Sequence, residues 1–192
     1  LRRQRQMCIR DSPSFVFPFR EESKDVFEWA STIGKSWKAN YYLALLQFSR
    51  NNTEKVVALL NKLKNRPNFA PFYSLRGRLS TVNADKEADI KLAIQYAPKE
   101  WRYKHQLTRL YFAEKRYKEA LKVIEPFYYK HKTHFPTGSL YTKALMYCKD
   151  FAKAEKVLSN TYILPFEGER GGRLLYQETV SYTHLRAHET SL

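Results

Sequence analysis

Apolar positions along the chain keep helical spacing rather than strict alternation. Val56, Val57, Leu59, Leu60 and Leu63 follow Asn52–Thr53, a pair suited to capping a helix start. Val26, Phe27, Trp29, Ala30 and Ile33 recur at the same spacing upstream. Further along, the pattern copies itself. RYKEALKVI (116–124) and DFAKAEKVL (150–158) align at a separation of 34 residues, pairing Tyr117 with Phe151, Ala120 with Ala154, Val123 with Val157 and Ile124 with Leu158. Leu107 and Tyr141 keep that separation, as do Tyr111 and Leu145, and Leu175 lies another 34 beyond Tyr141. One unit back stand Tyr73, Ile90, Ala93 and Pro98, with Gly77 in the position of Tyr111. A turn about four residues shorter then brings Trp37, Leu43, Ala44, Val56, Leu60 and Leu63 into register.

This register predicts helices over 21–33, 37–49, 53–64, 69–80, 84–96, 100–113, 117–131, 136–148 and 151–161, with residues 170–179 opening another. Thr137 and Asp150 stand where further caps are expected, and Pro126 should kink or shorten its helix near Glu125.

A 34-residue period with a small alanine in the second helix resembles the tetratricopeptide repeat (TPR). The resemblance implies an all-α protein, an α-solenoid of stacked antiparallel helix pairs forming a TPR-like superhelix, here truncated at both ends. Thr108 and Thr142 depart from it where a smaller residue is usual, and Lys86 stands where alanine is usual. Two strings, WKANYYLALL (37–46) and ILPFEGERGGRLLYQE (163–178), resemble the helical-repeat part of a family of large bacterial proteins. That family joins such repeats to a β-rich, mutarotase-like or carbohydrate-associated region. The two ends have no apolar periodicity, and MCIRDS (7–12) and VSYTHLRAHET (180–190) resemble translated sequencing adapters. The expected organisation is an extraneous tail over 1–12, a linker and the second helix of a preceding repeat over 13–36, and four helix pairs over 37–168. The start of a further repeat over 169–179 and a second tail over 180–192 complete it.

Composition narrows the function classes. The 192 residues carry 34 Lys and Arg against 19 Asp and Glu, a net charge of +15, and aromatics make up 15%. No apolar run is long enough to cross a bilayer, and two cysteines cannot build a disulfide framework or a four-cysteine zinc site. With the tails set aside, 29 basic residues face 17 acidic ones and Cys148 is a lone thiol. The compartment stays open because the true N-terminus is expected to lie outside the chain, with the cytoplasm as the default.

Catalytic signatures are missing. The chain has no phosphate-binding glycine loop, no dinucleotide fingerprint and no nucleophile elbow, and it implies no cofactor or metal. His131 and His134 sit at a turn among Lys130 and Lys132, where solvated side chains are expected, and Cys148 reads as a half-buried small residue. Glu167 and Glu169 read as loop acids, and Gly168, Gly171 and Gly172 as an inter-repeat loop beside Arg170 and Arg173.

In stacked helix pairs the first helix of each pair lines the face that binds. The register places Lys38 and Tyr41 there on the first pair, Arg102, His105, Arg109 and Phe112 on the third, and Lys143, Met146 and Tyr147 on the fourth. Cations interleaved with aromatics suit an extended acidic segment, from a protein or peptide partner or from a missing domain of the same chain. Nucleic acid is the rival class, resting on net charge and on Phe112, Tyr128 and Tyr129 as stacking rings. A third class makes the repeats an accessory module of a larger carbohydrate-processing protein.

Overall fold

The computed structural model describes residues 20, 22–33, 37–64 and 67–160. Both tails, the further repeat over 169–179, the 163–178 string and the glycine loop with its acids lie outside them. The described helices are α1 (Glu22–Ile33), α2 (Trp37–Ser49), α3 (Thr53–Leu63), α4 (Ala70–Leu79), α5 (Asn83–Tyr96), α6 (Trp101–Ala113), α7 (Tyr117–Lys130), α8 (Phe135–Tyr147) and α9 (Phe151–Ser159). Each begins and ends within two residues of the bounds the register predicts, and there is no strand among the described residues. The chain divides between Lys99 and Glu100 into two compact units.

In the first unit α1 packs on α2, α2 on α3, α3 on α4 and α4 on α5. Phe27, Tyr42, Leu43 and Leu46 form its core at one end, and Phe72 and Tyr73 of α4 and Ile90 and Ala93 of α5 are buried. In the second unit α6 packs on α7, α7 on α8, α8 on α9, and α6 also on α8. Ile124, Tyr128, Tyr141, Leu145, Ala154 and Val157 share that core.

Three turns follow one backbone recipe. Asn51, Lys115 and Lys149 have φ of 60°, 58° and 64°. In each, this residue's N–H bonds back three residues and the next N–H bonds back five, as in Lys115→Phe112 and Arg116→Tyr111 or Lys149→Met146 and Asp150→Leu145. That is the Schellman pattern, which satisfies the last carbonyls of the first helix and reverses the chain into the second. Left-handed backbone favours glycine, so Lys115→Gly and Lys149→Gly should each stabilise the protein by about 0.5–1 kcal/mol, read from the thermal midpoint.

Local expectations fare unevenly. Asp150 does cap α9, accepting from the Lys153 N–H at 3.3 Å. Asn52 occupies the cap position of α3, but its amide donates to Gln47 Oε1 at 2.8 Å and makes no cap bond. Thr137 lies inside α8, fully buried, and caps nothing. Pro126 does not shorten α7, which continues to Lys130. Phe127 and Tyr128, buried just beyond it, hold the last turn and offset the missing hydrogen bond. Thr108 and Thr142 fit their crowded positions because their hydroxyls turn back onto the carbonyls of Lys104 and Gly138, at 2.8 and 2.9 Å. Only methyl-sized bulk is left to face the neighbouring helix.

Lys86 is accommodated from the opposite side. A Cβ on Gly77 would sit 3.0 Å from Asp89 Cβ and 3.2 Å from the Lys86 carbonyl oxygen. In the second unit the small residues of this position are Ala120 and Ala154, buried on the second helices. Here the small residue has moved to the first helix. Beside it Arg76 Nε and Nη2 bond the two oxygens of Asp89 at 2.8 and 2.6 Å, and Arg76 Nη1 bonds the Lys64 carbonyl at 2.6 Å.

Candidate functional site

The first helices of the pairs share a chemical bias. α2, α4, α6 and α8 contain Lys38, Arg76, Arg78, Arg102, Lys104, Arg109 and Lys143, and not one Asp or Glu. Carboxylates fall on α1, on the second helices and in turns. Arg76 is committed to Asp89 within its unit, and the remaining cations have no carboxylate on their own helix.

In the second unit this bias acquires a shape. Arg109 and Phe112 are three apart on α6, Lys143 and Tyr147 four apart on α8, so each pair shares a helix face. The Phe112 and Tyr147 rings meet at 5.8 Å between centroids, and Tyr147 stacks on Tyr117 at 4.4 Å and 7°. Tyr147 is nevertheless 46% exposed, and Arg109 is exposed. A fixed, half-open aromatic shelf thus adjoins the cation positions. Arg102 is exposed too, with Nη1 bonding Glu100 at 3.1 and 3.2 Å and its guanidinium 5.0 Å from the Trp101 ring. Lys38 and Lys143 are half-buried.

Four sequence-based placements need correction. Tyr41 and His105 are each 3% exposed and belong to the core. Tyr41 lies among the rings of Trp37, Phe69 and Phe72. Met146 is buried in the second unit's core, and Tyr128 is buried against Tyr141 at 4.6 Å, which removes it as a base-stacking platform. Arg78, 34 residues before Phe112 in the register, joins the exposed cations. It reaches over the Phe48 ring at 5.1 Å, repeating in the first unit the cation–aromatic neighbourhood of the second.

His105 is held by a small polar assembly. Thr137 Oγ1 lies 2.9 Å from His105 Nε2 and 2.7 Å from His134 Nδ1, and Trp101 packs edge-on to both imidazoles at 4.7 Å. His134 is therefore partly buried and bonded, not a solvated loop side chain, while His131 is exposed. A hydroxyl has one hydrogen, so one ring nitrogen accepts it and the other donates N–H to the oxygen. Protonating both rings would place two donors on that oxygen and strand the hydroxyl hydrogen. Burial, then His134 and Arg109, push the His105 pKa down to about 4. The unfolded chain, with an ordinary histidine, takes up that proton near pH 6.5, so stability present above pH 6.5 is lost as pH falls toward 4, by up to ~3 kcal/mol. Urea denaturation at pH 7 and 4.5 should show the loss in the natural sequence and a smaller one in His105→Gln.

With Thr137 fully buried, this assembly offers no hydroxyl to a substrate. No cluster of three or more metal-binding side chains occurs among the described residues, and no described helix is long and apolar enough to cross a membrane. Burial pushes the Cys148 thiol upward, away from thiolate reactivity.

Helix pairs packed consecutively within each unit, in 34-residue register and three of them closed by one kind of turn, define an all-α helical-repeat protein of the TPR-like, α-solenoid class. The chain is similar to the crystal structure of a thermophilic TPR protein in Thermus thermophilus. Identity is 14% and the TM-score 0.50, over 83% of this chain and 88% of that one, a likeness of fold. No protein-family model matches the chain, and no curated protein does.

Proposed function

We propose that this chain is a non-catalytic scaffold and that the first-helix face of its second unit binds an extended acidic segment of a protein partner or of another domain. The observation that carries the reading is the absence of any carboxylate from α2, α4, α6 and α8, while seven cations occupy them. A peptide bearing carboxylates meets no like charge on these helices, and Tyr147 and Phe112 supply contact area beside Arg109 and Lys143. Arg102 adds a cation to this set in the second unit, Lys38 and Arg78 form a set of their own in the first, and Tyr41 and His105 each serve from beneath within their own unit.

The test is titration of the full chain with fluorescent acidic peptides. Arg109→Glu with Lys143→Glu should weaken binding by about 30-fold or more, since each reversal forfeits an attraction and adds a repulsion. Unchanged affinity removes the groove. A preference for acidic peptide that survives moderate salt supports the scaffold. Equal affinity for any polyanion, falling steeply with salt, supports nucleic acid instead.

A further inference from the structure

Two clefts flank α3 in the first unit, and their charges are opposite. The cleft toward α5, about 840 Å³, is lined by Glu54, Asp85 and Asp89 with Arg76 as its single cation. The cleft toward α1, about 510 Å³, is lined by Lys24, Arg50, Lys55 and Lys62, with Glu28 as its single carboxylate. Glu28 lies 3.8 Å from Lys24, a loose pairing that leaves the lining cationic overall. The floor is apolar, made by Leu43, Ala58 and Leu59.

A buried amide marks the same cleft. Gln47 lines it, is 5% exposed, and occupies the register position held by Gly77, Tyr111 and Leu145 in the other pairs. Burying an amide where an apolar residue packs elsewhere is unfavourable for the fold, and such local exceptions collect at functional sites. Asn52, also in the lining, donates to Gln47 Oε1 at 2.8 Å. The acceptor end is thereby occupied, and Nε2, which can only donate, is the other end of the amide. An excess of cations, a fixed amide donor and an apolar floor in a cleft of ligand size specify a compact anion with an apolar body.

We infer that this cleft between α1, α2 and α3 binds a soluble small molecule carrying a di- or triphosphate, its phosphates among Lys24, Arg50, Lys55 and Lys62 and its apolar body over Leu43 and Leu59. This site is separate from the first-helix face and goes beyond the scaffold reading. Calorimetric titration of the full chain with inorganic pyrophosphate and with adenosine diphosphate tests it. Both should bind at low salt, the diphosphate with the apolar body at least about threefold more tightly. Lys55→Ala with Lys62→Ala, both exposed and remote from the core, should weaken both ligands about tenfold or more, while acidic-peptide binding is kept. Gln47→Leu, which installs the side chain found at position 145, should weaken them without loss of helicity.

The inference is overturned if neither ligand binds at ~10 mM, or if the double alanine variant binds them as the natural sequence does. Loss of phosphate binding in Arg109→Glu/Lys143→Glu instead would assign the anion affinity to the first-helix face. Equal affinity for the two ligands would remove the apolar floor from the site.

Discussion

Replacing Asp89 with alanine is expected to destabilise the first unit by about 3–5 kcal/mol. Its carboxylate is 7% exposed and receives two hydrogen bonds from Arg76, whose side chain is 15% exposed. Taking away the acid leaves a partly buried guanidinium without its bidentate partner, beside the Lys64 carbonyl, the Phe72 and Tyr73 rings and the attraction of Asp85. Asp89 faces Gly77 from across the helix pair, so the loss falls at the closest approach of α4 to α5. Hydrogen exchange over residues 70–96 together with urea denaturation would read it. Removing both charges, with Arg76→Met and Asp89→Leu, should recover much of the loss, because the strain lies in the orphaned charge. A single variant as stable as the natural sequence would mean that the pair contributes nothing.

Tyr141→Ala is expected to destabilise the second unit by a similar amount, about 3–5 kcal/mol. The ring is fully buried and stacks on Tyr128, and its hydroxyl donates to Glu125 Oε1 at 2.8 Å. Lys153 Nζ meets the same oxygen at 2.6 Å. Lys153 and then Tyr141 hold the Glu125 carboxyl below its usual range. Tyr141→Phe keeps the packing and leaves Glu125 its lysine, so it should lose only about 1 kcal/mol. Denaturation midpoints of the two variants separate the ring from the hydroxyl. A phenylalanine variant as damaged as the alanine one would place the stability in the hydrogen bond.

The helices were legible because each depends on a repeating feature. The apolar positions return every 34 residues, so an error in one pair would have clashed with the next. What a register conveys is position, not the last rotation of a side chain. The register puts His105 on the outward face of its helix. It turns inward because Thr137, from 32 residues downstream, offers a hydroxyl and Trp101 an aromatic wall. Tyr41 was misjudged for the same reason, since Phe69 and Phe72 belong to the following first helix and its approach. The register puts Arg109, Lys143 and Tyr147 on the first helices of their pairs, and the structure leaves Arg109 and Tyr147 exposed and Lys143 half-buried. The cleft between α1 and α3 is not legible in the sequence, since its lysines look like any solvated helix face until three helices bring them to one hollow.

The exchange between Gly77 and Lys86 bears on how such repeats can be altered. Aligned repeats invite a consensus, in which each position receives the residue its counterparts favour. At this pair the consensus alanine at 86 would trim a side chain where the first helix is already bare. A large residue at 77, by analogy with Tyr111, would drive its Cβ into the backbone of α5. Neither borrowing works alone, because the spacing of the two helices is an inherited joint choice. The register that makes the repeats recognisable is therefore a poor guide to grafting one onto another, and chimaeras should be cut at the turns, with whole helix pairs exchanged.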